Sequence, residues 1–337
     1  MKLISTITAA ALLLTGGAAM ASAPALQKTT VKLATLVPEG SVWDKAFRKM
    51  GSDWASATNG RVQLRIYGGG MAGDEDVVVR KMRIGQLNAA SLTTSGLGEI
   101  TDAYKLFEVP LFFQSVDEVI HVLEKINPVL EQKLEEKGFV LLGYGHTGWI
   151  HFFSTEPIES IEDLKRLKQF VWGGNNRMVE WWKDNGFKPV ALAATEIMPA
   201  LQTGMVESIP STPLTTLSLQ WFRQTPYMTE MNVMPFLGGT VISKKVWDAL
   251  SAEDQKAMKE AAAEAEAYLF EEVPRQEREA IAEMEQRGLT VVSQGDGGWV
   301  VDAAKSFREG MRGIVPSDIL DLATAARDAY RAKNTTE

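Results

Sequence analysis

Val31-Lys32-Leu33-Ala34-Thr35-Leu36 is an apolar strand that opens an order of elements this chain writes twice. After it come a helix-length stretch from Val42 to Ala57, the alternating strand Arg61-Val62-Gln63-Leu64-Arg65-Ile66, a helix starting near Asp74, then Gly85 and a short apolar strand. From Leu167 the order recurs: Gln169-Phe170-Val171-Trp172, the stretch Asn176 to Asn185, Phe187-Lys188-Pro189-Val190-Ala191-Leu192, a helix near Thr195, Gly204, and Met205 to Ile209. Pattern is shared and identity is not, which predicts two lobes of one α/β design with a ligand cleft between them. Strand ends in open α/β sheets face the binding crevice, so Thr93-Thr94-Ser95 of one half and Ser211-Thr212 of the other are expected to face one cleft.

The remaining segments fit around this pair. Thr58-Asn59-Gly60 reads as a helix stop, and Asp74-Glu75-Asp76 places three carboxylates on a first helical turn, where the dipole favours them. Ser251 caps a helix expected over residues 251–287, with Asp254 three residues on and Gly288 as its stop. At 1.5 Å per residue it would be roughly 55 Å long, with a kink at Pro274, and the simplest use for such length is a brace across both lobes. The expected division is a leader over 1–21, a first lobe of 30–125 and 213–250, a second lobe of 126–212 and 251–315, and a C-terminal helix and tail over 316–337.

The 337 residues carry 35 basic and 43 acidic side chains, a net charge of −8 with no basic stripe, which argues against nucleic acid as a partner. Met1 to Ala21 hold Lys2 as the only charge, an apolar run from Ile4 to Leu14, and the small-x-small signal Ala19-Met20-Ala21, so an export leader cleaved near Ala21 is expected. The chain has no cysteine, which removes disulfides, thiolate chemistry and a cysteine-linked lipid anchor.

Chemistry-bearing residues point to binding more than to catalysis. Gly143-Tyr144-Gly145-His146-Thr147-Gly148 matches a dinucleotide fingerprint, but the β-prone Trp149-Ile150-His151-Phe152-Phe153 follows where that motif needs a helix. A flexible crossover between lobes is the expectation instead. His121, His146 and His151 lack metal-ligand spacing, and no serine sits in a nucleophile elbow, so neither metal nor cofactor is expected. Trp43, Trp149, Phe170, Trp172 and Trp221 fall at strand ends or loops, where aromatic faces can wall a pocket or simply fill the core. Trp181-Trp182 are adjacent on a helix, and the one facing inward is expected in the core.

Several stretches together resemble the solute-binding proteins of TRAP (tripartite ATP-independent periplasmic) transporters: Leu36-Val37-Pro38-Glu39-Gly40-Ser41, Thr58-Asn59-Gly60-Arg61-Val62, Gly73-Asp74-Glu75, Arg83-Ile84-Gly85-Gln86-Leu87, Pro157-Ile158 with Asp163-Leu164-Lys165, and Ala200-Leu201-Gln202-Thr203-Gly204. The resemblance implies a periplasmic, two-lobed protein that closes on a small-molecule solute, an organic acid by analogy, and delivers it to membrane permease subunits without transforming it. Phe170 stands where the family usually carries an arginine that clamps the carboxylate, a second arginine position falls near Trp149 or Ile150, and an asparagine is replaced around Ser211. The solute is then expected to be neutral, cationic or more apolar. Thr93, Thr94, Ser95, Glu39, Ser41 and Asp74 would line one side, and Phe170, Trp172, Asn175, Ser211 and Thr212 the other. Arg177, Asp74 and Glu75 are the candidate counter-charges. A binding protein of an ATP-driven importer or a sensor, and an exported enzyme, are the alternatives.

Overall fold

The computed structural model describes residues 28–172, 176–293, 298–311 and 313–334. The leader and its cleavage point lie outside these residues, as does Asn175. The first run is β1 (Thr29–Thr35), α1 (Val42–Ala57), β2 (Val62–Tyr67), α2 (Glu75–Arg83) and β3 (Ala89–Thr93). α1 forms because Ser41 caps it, accepting from the Asp44 N–H, and because Val42, Ala46, Phe47, Met50 and Trp54 recur on one face. It ends where Asn59 and Gly60 take positive φ and the Gly60 N–H reaches back to the Ala55 carbonyl at 2.7 Å.

Then follow α3 (Thr94–Gly98), α4 (Val116–Glu136) and the 16-residue β4 (Phe139–Ser154). The second run is α5 (Ile161–Arg166), β5 (Lys168–Trp172), α6 (Asn176–Asp184), β6 (Lys188–Leu192), α7 (Ile197–Gln202) and β7 (Ser208–Ser211). In the first run β1 lies between β2 and β3 with both pairs parallel; in the second β5 lies between β6 and β7, again parallel on both sides. The repeated pattern in the sequence is thus a repeated topology.

After α8 (Pro213–Ser218) come β8 (Tyr227–Thr229), β9 (Met234–Ser243), α9 (Lys244–Trp247), α10 (Ala252–Gln286), β10 (Thr290–Val292), α11 (Gly298–Met311) and α12 (Ser317–Asn334). The strand order β2-β1-β3-β9-β4-β7-β5-β6 runs through both halves, and β4 belongs to each: Phe139 to Ile150 pair with β9, and His151 to Ser154 with β7. The expected boundary at 125/126 falls inside α4, whose buried residues Val119 through Leu134 all join one core with β3 and β9. β8, expected with the first lobe, pairs instead with the second-half end of β4 and with β10. α12 packs on α4 through Ile319 and Ala323, and Arg331 donates to Glu118 at the start of α4.

α10 is a single helix of 35 residues that continues through Pro274. Its first half buries Met258, Ala261 and Ala262 in the core with α1, and its last turns bury Met284 in the core of the second half. Trp54 Nε1 donates to the Met258 carbonyl, and Arg61 grips Asp254 through Nε and Nη2 at 3.0 and 2.7 Å.

The glycine motif is a piece of β4 seated on this helix, where a flexible crossover was expected. The pairing of β4 with β9 shifts register between Leu141 and Gly143 and again between His146 and Trp149, which frees backbone N–H groups. α10 supplies the acceptors: Glu266 takes the Tyr144 N–H and Glu277 the Trp149 N–H, each at 3.2 Å. The glycines make room for these carboxylates. A Cβ on Gly143 would lie 3.1 Å from Glu266 Oε2; on Gly148, at φ +105°, it would lie 1.9 Å from Glu277 Oε1. Gly148→Ala should therefore destabilise the fold by about 2 kcal/mol or more, from strain and steric clash together; chemical denaturation checks this, and a loss under about 0.5 kcal/mol would refute it.

Burial pushes the Glu277 carboxyl up from 4.5 to about 8, although the Trp149 N–H pulls the other way. The folded chain thus keeps a proton that the unfolded chain gives up near pH 4.5, so stability falls as pH rises from about 4.5 to about 8, by at most about 1.4 kcal/mol per unit. Glu277→Gln retains an acceptor and cannot titrate. Its melting temperature, relative to the parent, should rise between pH 5 and pH 9; curves that stay parallel across that range would remove Glu277 as the titrating group.

Candidate functional site

Between the halves lies a cavity of about 170 Å³. On the first-half side, Asp74 caps α2, its Oδ1 accepting from the Glu75 N–H, while its Oδ2 crosses to the second half and accepts from the Ala194 N–H at 2.8 Å. Beside it, a Cβ on Gly70 would lie 2.7 Å from Thr195 Cγ2, so the rims touch here. Glu75 turns inward: its two oxygens take the Thr93 N–H and the Thr93 hydroxyl, each at 2.6 Å. Burial pushes this carboxyl up to about 7 against those hydrogen bonds. Thr93 in turn caps α3, which carries Thr94, Ser95 and Gly96 to the cavity wall.

Ser95 Oγ donates to Glu108 Oε1 at 2.7 Å. Burial raises the Glu108 pKa, and the nearby charge of Lys105, itself ion-paired with Asp102, only partly offsets this. A short turn then leads through Pro110 to Leu111, which sits at φ +53°, a left-handed conformation uncommon for so bulky a side chain. Its N–H holds the Val233 carbonyl at 2.7 Å, stitching this wall to the segment that begins β9.

The other wall is aromatic and aliphatic. Phe170, Val171 and Trp172 come from β5, Ile150 and Phe152 from β4, Trp181 and Trp182 from α6, and Phe236 from β9. Phe170 and Trp172 meet edge to face at 4.9 Å, and Trp172 lies 6.2 Å from Phe236. Trp172 Nε1 is buried and has no hydrogen-bond partner among the described residues. His151, behind this wall, holds its Nδ1 2.9 Å from the Thr229 carbonyl, and burial lowers its pKa to about 4, so it is neutral near pH 7. Among the described residues no cluster of three or more His, Asp or Glu could hold a metal ion.

Of the residues expected here, Asp74, Glu75, Thr94, Ser95, Phe170 and Trp172 line the cavity. Thr93 stands one residue back as the α3 cap. The other expected residues whose side chains are described do not line it. Glu39 is exposed and pairs with Arg48, and Ser41 caps α1. Trp43 fills the core under α1 and donates to the His146 carbonyl, Trp221 fills the second-half core, and Trp149 joins the first-half core. Ser211 takes the Thr216 hydroxyl proton and Thr212 caps α8, so the second strand end spends its polar groups on local structure. Arg177 is in α6, with its side chain outside the described residues.

Sequence reasoning missed Glu108, Lys105, Leu111 and Phe236; of the 181–182 pair, expected to give one core tryptophan, both pack against the core around Ile150 and Phe187 and both also line the cavity. Adjacent positions on a helix diverge by about 100°, which a flat interior cannot satisfy but a concave one can. Glu108-Val109-Pro110 carried a usable signal, a charge set between apolar residues before a proline.

Two α/β halves sharing a sheet, a helix clamped across them and a cavity closed by both rims define a solute-binding protein of the two-lobed class. Residues 33–305 match the model of bacterial extracellular solute-binding protein, family 7, and the chain belongs to that family. It is a binding protein rather than an enzyme. It is 27% identical over 333 residues to a solute-binding protein of Roseobacter denitrificans, covering 94% of this chain and 99% of that one. It is 24% identical over 274 residues to the C4-dicarboxylate-binding periplasmic protein of Rhodobacter capsulatus, covering 80% and 81%. The fold is similar to that of a TRAP periplasmic solute-binding protein from a Sulfitobacter species with bound β-D-galacturonate, with a TM-score of 0.82 and 20% identity over 89% of this chain and all of the other.

The Asp74 to Ala194 bond spans the two rims, so Asp74→Ala should favour the open form. Small-angle scattering is expected to show a larger radius of gyration for the variant, and an unchanged value would deny the bond a part in closure.

Proposed function

We propose that the cavity between the halves is the solute site of a periplasmic receptor that closes on a small molecule and hands it to the membrane permease subunits of a TRAP-type secondary transporter. One observation carries the site: Asp74, Ser95 and Glu108 from one half and Phe170, Trp172 and Trp182 from the other wall a single cavity. A guest held there touches both halves only when they are closed, so its binding energy favours the closed form by the difference in affinity between the two states. That difference lets a permease distinguish loaded from empty protein. In this reading the lobes divide within β4 and within α10, with α4, β9 and α12 in the first and β8 and β10 in the second. The hinge is the stretch of β4 around Gly148, pinned by Glu277.

The leader fits this reading, with processing near Ala21; amino-terminal sequencing of the exported protein should begin near Ser22, and a retained leader would contradict it. For the site, mass spectrometry of small molecules that copurify and a melting-shift screen over acids, amines and aromatic compounds would supply a ligand. Trp172→Ala is expected to weaken that ligand by about tenfold or more, because an indole face contributes much of a small guest's contact area, while leaving the unliganded circular dichroism spectrum intact. Undiminished affinity would move the site elsewhere, and turnover of the ligand would overturn the binding role.

A further inference from the structure

We propose that the solute carries a protonated nitrogen on an apolar, ring-sized body, with the nitrogen set against Glu108 and the body among Phe170, Trp172, Trp182 and Phe236. This rests on the reading of the cavity as the solute site.

The charge of the wall is one-sided. Its described ionisable residues are Asp74, Glu75, Asp76, Glu99 and Glu108 against the single cation Lys105, which is engaged with Asp102. The carboxyls differ in what they have left to offer. Asp74 takes two backbone N–H groups, each oxygen of Glu75 takes a donor from Thr93, Asp76 pairs with Arg80, and Glu99 is exposed to water. Glu108 takes one hydroxyl, from Ser95, and no other donor to it is found among the described residues. A carboxylate has room for several donors, and an ammonium brings three. Desolvation already disfavours the ionised form of Glu108, so a cation arriving beside it supplies the stabilisation that water no longer gives, whereas an anion would add repulsion.

The opposite wall selects the body. Ile150, Phe152, Phe170 and Phe236 offer no hydrogen bonds, and Trp172 Nε1 is a lone buried donor beside them, so most hydroxyls of a polyhydroxylated solute would be stripped of water without replacement. Aromatic faces attract both an apolar ring and a neighbouring cation. Phe170 stands where the family resemblance implies a carboxylate-clamping arginine.

Three compounds sharing one skeleton and differing in charge test the assignment on the full mature chain: 3-phenylpropylamine, 3-phenylpropan-1-ol and 3-phenylpropionate, each titrated by calorimetry. The amine should bind about tenfold or more tighter than the other two. Glu108→Gln should bring the amine down to the level of the alcohol and leave the alcohol nearly unchanged; thermal melting of the unliganded variant confirms that it is folded. Tightest binding by the propionate, above all if Arg177→Ala abolishes it, would overturn the proposal, as would an amine preference that survives Glu108→Gln. In either case binding in the cavity would stand. If none of the three binds and native mass spectrometry of the purified protein finds no small molecule, the cavity reading falls with the proposal.

Discussion

Everything in this molecule hangs on β4, a strand that runs through both halves of one sheet, pairing with β9 along its first part and with β7 along its last. Its pairing with β9 shifts register twice before β7 joins it at His151, and the Tyr144 and Trp149 N–H groups beside those shifts find their acceptors elsewhere. Glu266 and Glu277 on α10 meet that need, and the glycines at 143 and 148 let the carboxylates come close enough. The long helix is therefore more than a spacer between lobes. It completes the hydrogen bonding of the strand on which both lobes are built.

That arrangement has a dynamic consequence. β4 passes from one half to the other just after its register shift between His146 and Trp149, where Glu277 of α10 takes the Trp149 N–H. Each half keeps its own core, one around Phe107, Ile126 and Leu130 and another around Phe153, Phe170 and Ile209. Motion is thus cheapest between the cores rather than within them. The rims at Asp74 and Ala194 meet at the far side of the cavity, where one hydrogen bond acts over the full lever arm of the lobes.

The chain shares its architecture with proteins named for or holding small guests. The proteins to which the chain is similar include ones named for a C4-dicarboxylate or holding a galacturonate, both anions. Here the described wall is rich in rings and carboxyls, and its one described cation is neutralised by a neighbour. A binding scaffold of this kind can change its guest by altering side chains at a few strand-end and turn positions, because the sheet is held by the backbone pairing those substitutions leave in place.

What the sequence determined was whatever depends on neighbours along the chain. The doubled order of strands and helices, the cap at Ser251, the stop at Gly60 and the length of α10 follow from local periodicity and local hydrogen bonds and are where the residues place them, whereas Ser41 and Thr93, expected at the cavity, are helix caps. Six residues of the cavity wall were legible for the same reason, since Asp74, Glu75, Thr94, Ser95, Phe170 and Trp172 sit at or near the ends of those elements. Tertiary structure alone decided the rest. Whether an indole at a strand end walls a cavity, as Trp172 does, or fills a core, as Trp43 and Trp221 do, depends on what packs over it from far along the chain. Likewise Gly148 is a place for Glu277, 129 residues on in the sequence, and no local pattern can record a contact whose partner is chosen by the fold.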